Sequence, residues 1–64
     1  MSSDEAARNL EVARSLSEEG NHGDSVVYWE VAAQHFAAIG DLNGEAQAQL
    51  GWGGALFRLD GREE

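Results

Sequence analysis

Asp24-Ser25-Val26-Val27-Tyr28-Trp29-Glu30-Val31-Ala32-Ala33-Gln34-His35-Phe36-Ala37-Ala38-Ile39 is the stretch on which the fold turns. Val26 to Trp29, β-branched and aromatic, reads as a strand in isolation. The residues that follow do not alternate as a strand does. Ser25, Trp29, Ala32, Phe36 and Ile39 recur at spacings of four, three, four and three, which is a helical period. Asp24 or Ser25 supplies an N-cap, so the spacing predicts a helix over about 24–39. A second stripe, Val27, Val31, His35 and Ala38, lies beside the first and makes the helix apolar over more than half its circumference. That suits a central element packed on two sides.

Turns bracket this segment. Gly20-Asn21-His22-Gly23 precedes it and Gly40-Asp41-Leu42-Asn43-Gly44 follows, both rich in residues that tolerate a left-handed backbone. Upstream, Ala6, Leu10, Ala13 and Leu16 recur at helical spacings and predict a helix over about 4–19. Ser2 and Glu5 have capping-box spacing there, and Asp4 and Glu5 put negative charge where the helix dipole favours it. Downstream, Asn43 is a candidate N-cap for a third helix over about 45–59, ending at Asp60-Gly61.

That third segment has two opposed apolar stripes. At ~100° per residue, Ala46, Leu50, Gly53, Gly54 and Phe57 cluster on one side, and Ala48, Trp52, Ala55, Leu56 and Leu59 on the other. Only one can face the first two helices, and the Trp52 stripe is read as the uncovered one. Gly51, Gly53 and Gly54 are each unfavourable in a helix by ~1 kcal/mol relative to alanine. Either another helix approaches closely there or the segment is a loop; the apolar spacing through Phe57 favours close packing.

Composition bounds what such a chain can do. The 64 residues form a single domain spanning 1–64, and at ~60 residues a chain buries only ~60% of its unfolded surface. The absence of cysteine removes disulfides, thiolate metal sites and a cysteine nucleophile. A formal charge of −8 argues against direct nucleic-acid binding, because phosphates reward lysine and arginine. The longest uncharged run, Ala46 to Phe57, is too short and too rich in glycine and glutamine for a membrane span. Met1-Ser2-Ser3-Asp4-Glu5 is too acidic for a signal or transit peptide. Arginine without lysine, with abundant alanine and glycine, hints at a GC-rich bacterial coding bias and a cytoplasmic setting.

The chain also resembles itself. Val12 to Asn21 aligns with Gly53 to Arg62, each with a small residue, a large apolar residue and a glycine four positions later, at an offset of 41 residues. The pattern resembles the tetratricopeptide repeat, W-x2-L-G-x2-Y-x3-G-x-Y-x2-A-x3-F-x2-A. The second helix fits best: counting from Gly20, later motif positions fall on Ser25, Trp29 and Ala32. In the next unit Leu50, Gly53, Gly54, Phe57 and Gly61 stand at the W, L, G, Y and turn-G positions, with Gly53 a departure. In the first helix Asn9, Ala13 and Leu16 stand at the W, G and Y positions, the weakest match. The offset exceeds the usual ~34 residues but is similar to the longer repeats of bacterial regulatory solenoids. There, phrases like Phe36 to Asp41 followed by Gly44-Glu45-Ala46 join units. The likeness covers about residues 6 to 62.

The resemblance implies an all-α architecture: a tetratricopeptide-like antiparallel helical hairpin plus a third helix, a right-handed solenoid fragment running helix A, helix B, helix A. It further implies that the surface a next helix would have covered is taken by a partner or a second copy, on the Trp52, Leu56 and Leu59 side. In this family the first helices of each unit line a peptide-binding groove. By position that groove falls on Ala7, Leu10, Arg14, Ser17 and Glu18, and on Ala48, Gly51, Ala55, Arg58 and Leu59. Members that clamp a terminal carboxylate use lysine and asparagine. Here Leu10 and Gly51 stand at lysine positions and Arg14 and Ala55 at asparagine positions, which disfavours binding of chaperone tails.

Chemistry-bearing residues are sparse. His22 and His35 lack the short spacing of paired metal ligands; for His35, one turn after Val31, a packed or interface histidine is the default. Ser15, Ser17 and Ser25 lack a nucleophile elbow. Gly51-Trp52-Gly53-Gly54 has neither the preceding strand nor the following Lys-Ser/Thr of a phosphate loop. The carboxylates flank helices and are read as solvated, or as a patch that steers a basic partner. Trp29 is read as core and Tyr28 as surface.

The sequence thus predicts a non-enzymatic protein–protein interaction module without metal, cofactor or small-molecule substrate. It self-associates as a homodimer or higher homo-oligomer, or docks on a larger protein, through Ala48, Gly51, Trp52, Ala55, Leu56, Arg58 and Leu59, with Leu10 and Arg14. Two other readings stand beside it: an acidic inhibitor or antirepressor-type regulator of a basic protein surface, and a fragment of a longer solenoid.

Overall fold

The computed structural model describes residues 3–59, which form three helices: α1 (Ser3–Glu18), α2 (His22–Ala38) and α3 (Leu42–Leu59). The fold is all-α. Links of three residues turn each helix back on its predecessor, and α2 packs against both neighbours while α1 and α3 scarcely touch. Ser2 and Gly61 lie outside the described residues, so the expected capping box and the glycine expected to close the third helix do too.

The two turns are the same device. Gly20 and Gly40 adopt φ of +86° and +76°, the left-handed region that glycine enters without a Cβ clash. Gly20 N–H donates to the Ser17 carbonyl and Asn21 N–H to Leu16; Gly40 N–H donates to Ala37 and Asp41 N–H to Phe36. These are paired Schellman bonds, twice over. The next helix then starts at once, with Ser25 N–H on the Asn21 carbonyl and Glu45 N–H on Asp41.

Both later helices therefore begin earlier than their spacing predicts. α2 is preceded by Asn21, not capped by Asp24 or Ser25, and Gly23 sits in its first turn. α3 is capped by Asp41, whose Oδ1 accepts from Gly44 N–H at 3.0 Å, and Asn43 lies inside the helix.

The core follows α2. Ser25, Trp29, Ala32 and Phe36 are all buried, with Ile39 partly so, as the first stripe predicts. The second stripe is a correction: Val27 and Ala38 are exposed, Val31 and His35 half-buried, and Ala33 joins the core instead. α1 contributes Ala6, Leu10 and Ala13, with Leu16 half-buried.

Between α2 and α3, large residues meet glycines. A Cβ on Gly44 would clash with the Phe36 ring, and one on Gly51 with the Trp29 indole. Phe36 and Trp29 are one heptad apart, as are Gly44 and Gly51, and the order runs oppositely, so the helices are antiparallel. The same register sets Ala32 opposite Ala48 and Ser25 opposite Ala55, and all four are buried. Ser25 is the buried polar side chain of this seam, and its hydroxyl donates to the His22 carbonyl at 2.9 Å. Trp29 joins all three helices: its ring lies on Gly51 of α3 and its indole N–H donates to Ser17 Oγ of α1 at 3.1 Å.

That register settles the faces of α3, against the sequence expectation. Ala48 is 0% and Ala55 3% exposed, and Trp52 packs against the core, so these three members of the Trp52 stripe face inward, while Leu56 and Leu59 stay exposed as expected. Leu50 is 78% and Phe57 53% exposed, with Gly53 and Gly54 open to solvent between them. The physical reason is steric. Trp29 and Phe36 need small residues beneath them, and only the Gly44, Ala48, Gly51 and Ala55 side offers four.

Candidate interaction site

Two surfaces stand out. The first is a cleft of about 460 Å³ between α1 and α3, floored by Trp29. Arg14, Ser17 and Glu18 line it from α1, His22 from the start of α2, and Gly51, Gly54, Ala55 and Arg58 from α3. It exists because α2 holds its neighbours apart while α3 presents residues without bulk at this level. Six of the ten positions that the repeat resemblance assigns to a groove meet here: Arg14, Ser17, Glu18, Gly51, Ala55 and Arg58. The other four do not. Leu10 and Ala48 are buried in the core, and Ala7 and Leu59 are exposed outside the cleft.

Chemically the cleft offers hydrogen-bond donors. Arg14 and Arg58 bring two guanidiniums to a chain of formal charge −8, beside one carboxylate, Glu18. Arg14 also pairs with Glu11 at 3.4 Å, a solvent-exposed contact of little energetic weight. Ser17 Oγ is engaged as acceptor for Trp29, and Ser25 Oγ bonds a carbonyl, so neither is set against an imidazole. The Nδ1 atoms of His22 and His35 are shielded from solvent without a hydrogen-bond partner. Among the described residues, no three histidine or carboxylate side chains gather as a metal site.

The second surface is the solvent side of α3. Of the seven large apolar residues that are exposed among the described residues, five belong to this helix: Leu42, Leu50, Leu56, Phe57 and Leu59. The other two, Val27 and Tyr28, are on α2. Of the nine residues that the sequence singles out as a partner surface, Leu10, Ala48 and Ala55 are consumed by the fold, and Gly51 and Trp52 are half-buried. Leu56, Arg58, Leu59 and Arg14 remain accessible. Leu50 and Phe57, two of these exposed apolar groups, belong to the stripe that the sequence reading turns inward. The signal that corrects them is the match between the heptad of Trp29 and Phe36 and that of Gly51 and Gly44.

No helix among the described residues is long and apolar enough to cross a membrane. Comparison with family models, with characterised proteins and with solved structures finds no match to this chain.

Proposed function

We propose that this chain is a non-enzymatic protein–protein interaction module whose contact surface is the exposed side of α3 with the adjoining cleft. The observation that carries the reading is the concentration of exposed large apolar side chains on that one helix. A marginal core gains most by burying such groups, and a small domain that leaves five on one element has surface to give to a partner. The tetratricopeptide-like solenoid arrangement belongs to this proposal. Its support is the twice-used Schellman turn and the convergence of six groove positions on one cleft.

The test separates the surfaces by mutation. The purified chain is measured for solution mass across concentration, and immobilised chain is used to capture binding proteins. The paired substitution Leu50→Asp with Phe57→Asp is expected to abolish association of either kind while circular dichroism stays helical. Val27→Asp, on α2, is expected to leave it intact. Association that is indifferent to Leu50 and Phe57 overturns the reading.

A further inference from the structure

The outer face of α3 has a pattern that names its occupant, an inference that rests on the reading of α3 as a contact surface. We infer that a second copy of this chain covers it, with the two α3 helices antiparallel and a two-fold axis passing between Gly53 and Gly54.

The first observation is that packing within the monomer requires neither of these two glycines, although Gly54 lines the rim of the cleft. A Cβ on either meets nothing within 4 Å, whereas Gly44 and Gly51 are required by the rings seated on them. Glycine in mid-helix is unfavourable relative to alanine, so Gly53 and Gly54 weaken α3 with no compensating contact inside the monomer. A second helix backbone crossing at that point supplies the contact, because glycine permits approach below the usual ~8–10 Å between axes.

The second observation is self-complementarity. Leu50 and Phe57 stand on the same face, three residues to either side of the glycine pair. In an antiparallel pair centred there, Leu50 of one copy faces Phe57 of the other, and Gly53 faces Gly54. Gln49 falls opposite Arg58 at the edge. Bulk meets bulk around a flat centre, and the same patch serves both subunits, as a closed two-fold interface demands.

Charge points the same way. The chain carries −8, yet α3 holds a single acid, Glu45, and a single base, Arg58. A basic partner is drawn to the acidic remainder of the molecule; the neutral apolar strip matches another neutral apolar strip. Area sets the strength. A standard interface takes ~800 Å² per partner, about a fifth of the 4149 Å² accessible here. One helical face supplies less than that, so the dimer is concentration-dependent.

Sedimentation velocity from micromolar to millimolar protein tests this. The wild-type chain is expected to show a monomer–dimer equilibrium. Gly53→Ala and Gly54→Ala are expected to keep or raise helicity yet weaken dimerisation about tenfold or more. Leu50→Lys alone and Phe57→Glu alone are expected to be monomeric. An equimolar mixture of the two is expected to associate, because the ammonium introduced at position 50 then faces the carboxylate introduced at position 57. Association of Leu50→Lys with Leu50→Glu in its place shows a parallel pair and overturns the geometry. A wild-type chain that stays monomeric at millimolar concentration overturns the second copy as occupant. If it then captures a different protein through Leu50 and Phe57, the surface stands with another partner; if those residues affect no association at all, the surface reading fails as well.

Discussion

Four glycines on one helix do opposite things, and the difference is measurable. Gly51 lies under the Trp29 indole, which is itself tethered to Ser17 through its N–H. A methyl group there forces the ring aside, an overpacking penalty of ~1–3 kcal/mol that exceeds the ~1 kcal/mol alanine gains in a helix. Gly51→Ala is therefore expected to lower stability by up to about 2 kcal/mol, read as a fall in the urea midpoint. Gly53→Ala, with open space over its Cα, is expected to raise the stability of dilute, monomeric protein by ~1 kcal/mol. Trp29 and Phe36 are legible as core from their period alone, and both are buried. Their glycine sockets are not, because nothing in α3 taken by itself distinguishes a glycine that receives a ring from one that faces solvent. Only the pairing of two heptads across the hairpin does so.

At the scale of the element, the turns show how two similar sequences reach one geometry by different side chains. Gly20-Asn21 and Gly40-Asp41 make the same backbone bonds, yet only Asp41 turns its carboxylate back onto its helix, accepting from Gly44 N–H. Asn21 makes no side-chain cap bond; its amide reaches Glu19 instead. Asp41→Ala is expected to cost about 1 kcal/mol, and Asn21→Ala only a few tenths, in paired thermal and urea unfolding. The helices themselves are readable to within three residues at their starts. The shortfall has one cause: Asp24, Ser25 and Asn43 are good caps by type, but each sits inside a first turn already begun by the residue after the left-handed glycine. Side-chain preference loses to backbone hydrogen bonding. The inverted faces of α3 have a different cause. Both of its stripes are apolar, and burial goes to the row of small residues Gly44, Ala48, Gly51 and Ala55 because α2 brings the bulk.

For the whole molecule, the acidic surface and the neutral α3 make the salt response diagnostic. Two copies meeting along α3 bring two bodies of formal charge −8 together, and that repulsion opposes an attraction that is itself apolar. Raising ionic strength from ~0.01 M to ~0.15 M shortens the screening length from ~30 Å to ~8 Å. The repulsion fades while the apolar contact does not, so self-association is expected to strengthen severalfold across that range. An acidic regulator held on a basic protein surface by charge behaves oppositely, losing affinity as the same screening removes its attraction. Sedimentation of the chain alone at the two salt concentrations gives the sign directly. A dimer that weakens with salt identifies Arg58, the one base on α3, paired with the acids of the second copy as the dominant contact, rather than Leu50 against Phe57. Arg58→Gln then discriminates: it leaves the apolar dimer nearly unchanged and dissolves the charge-held one.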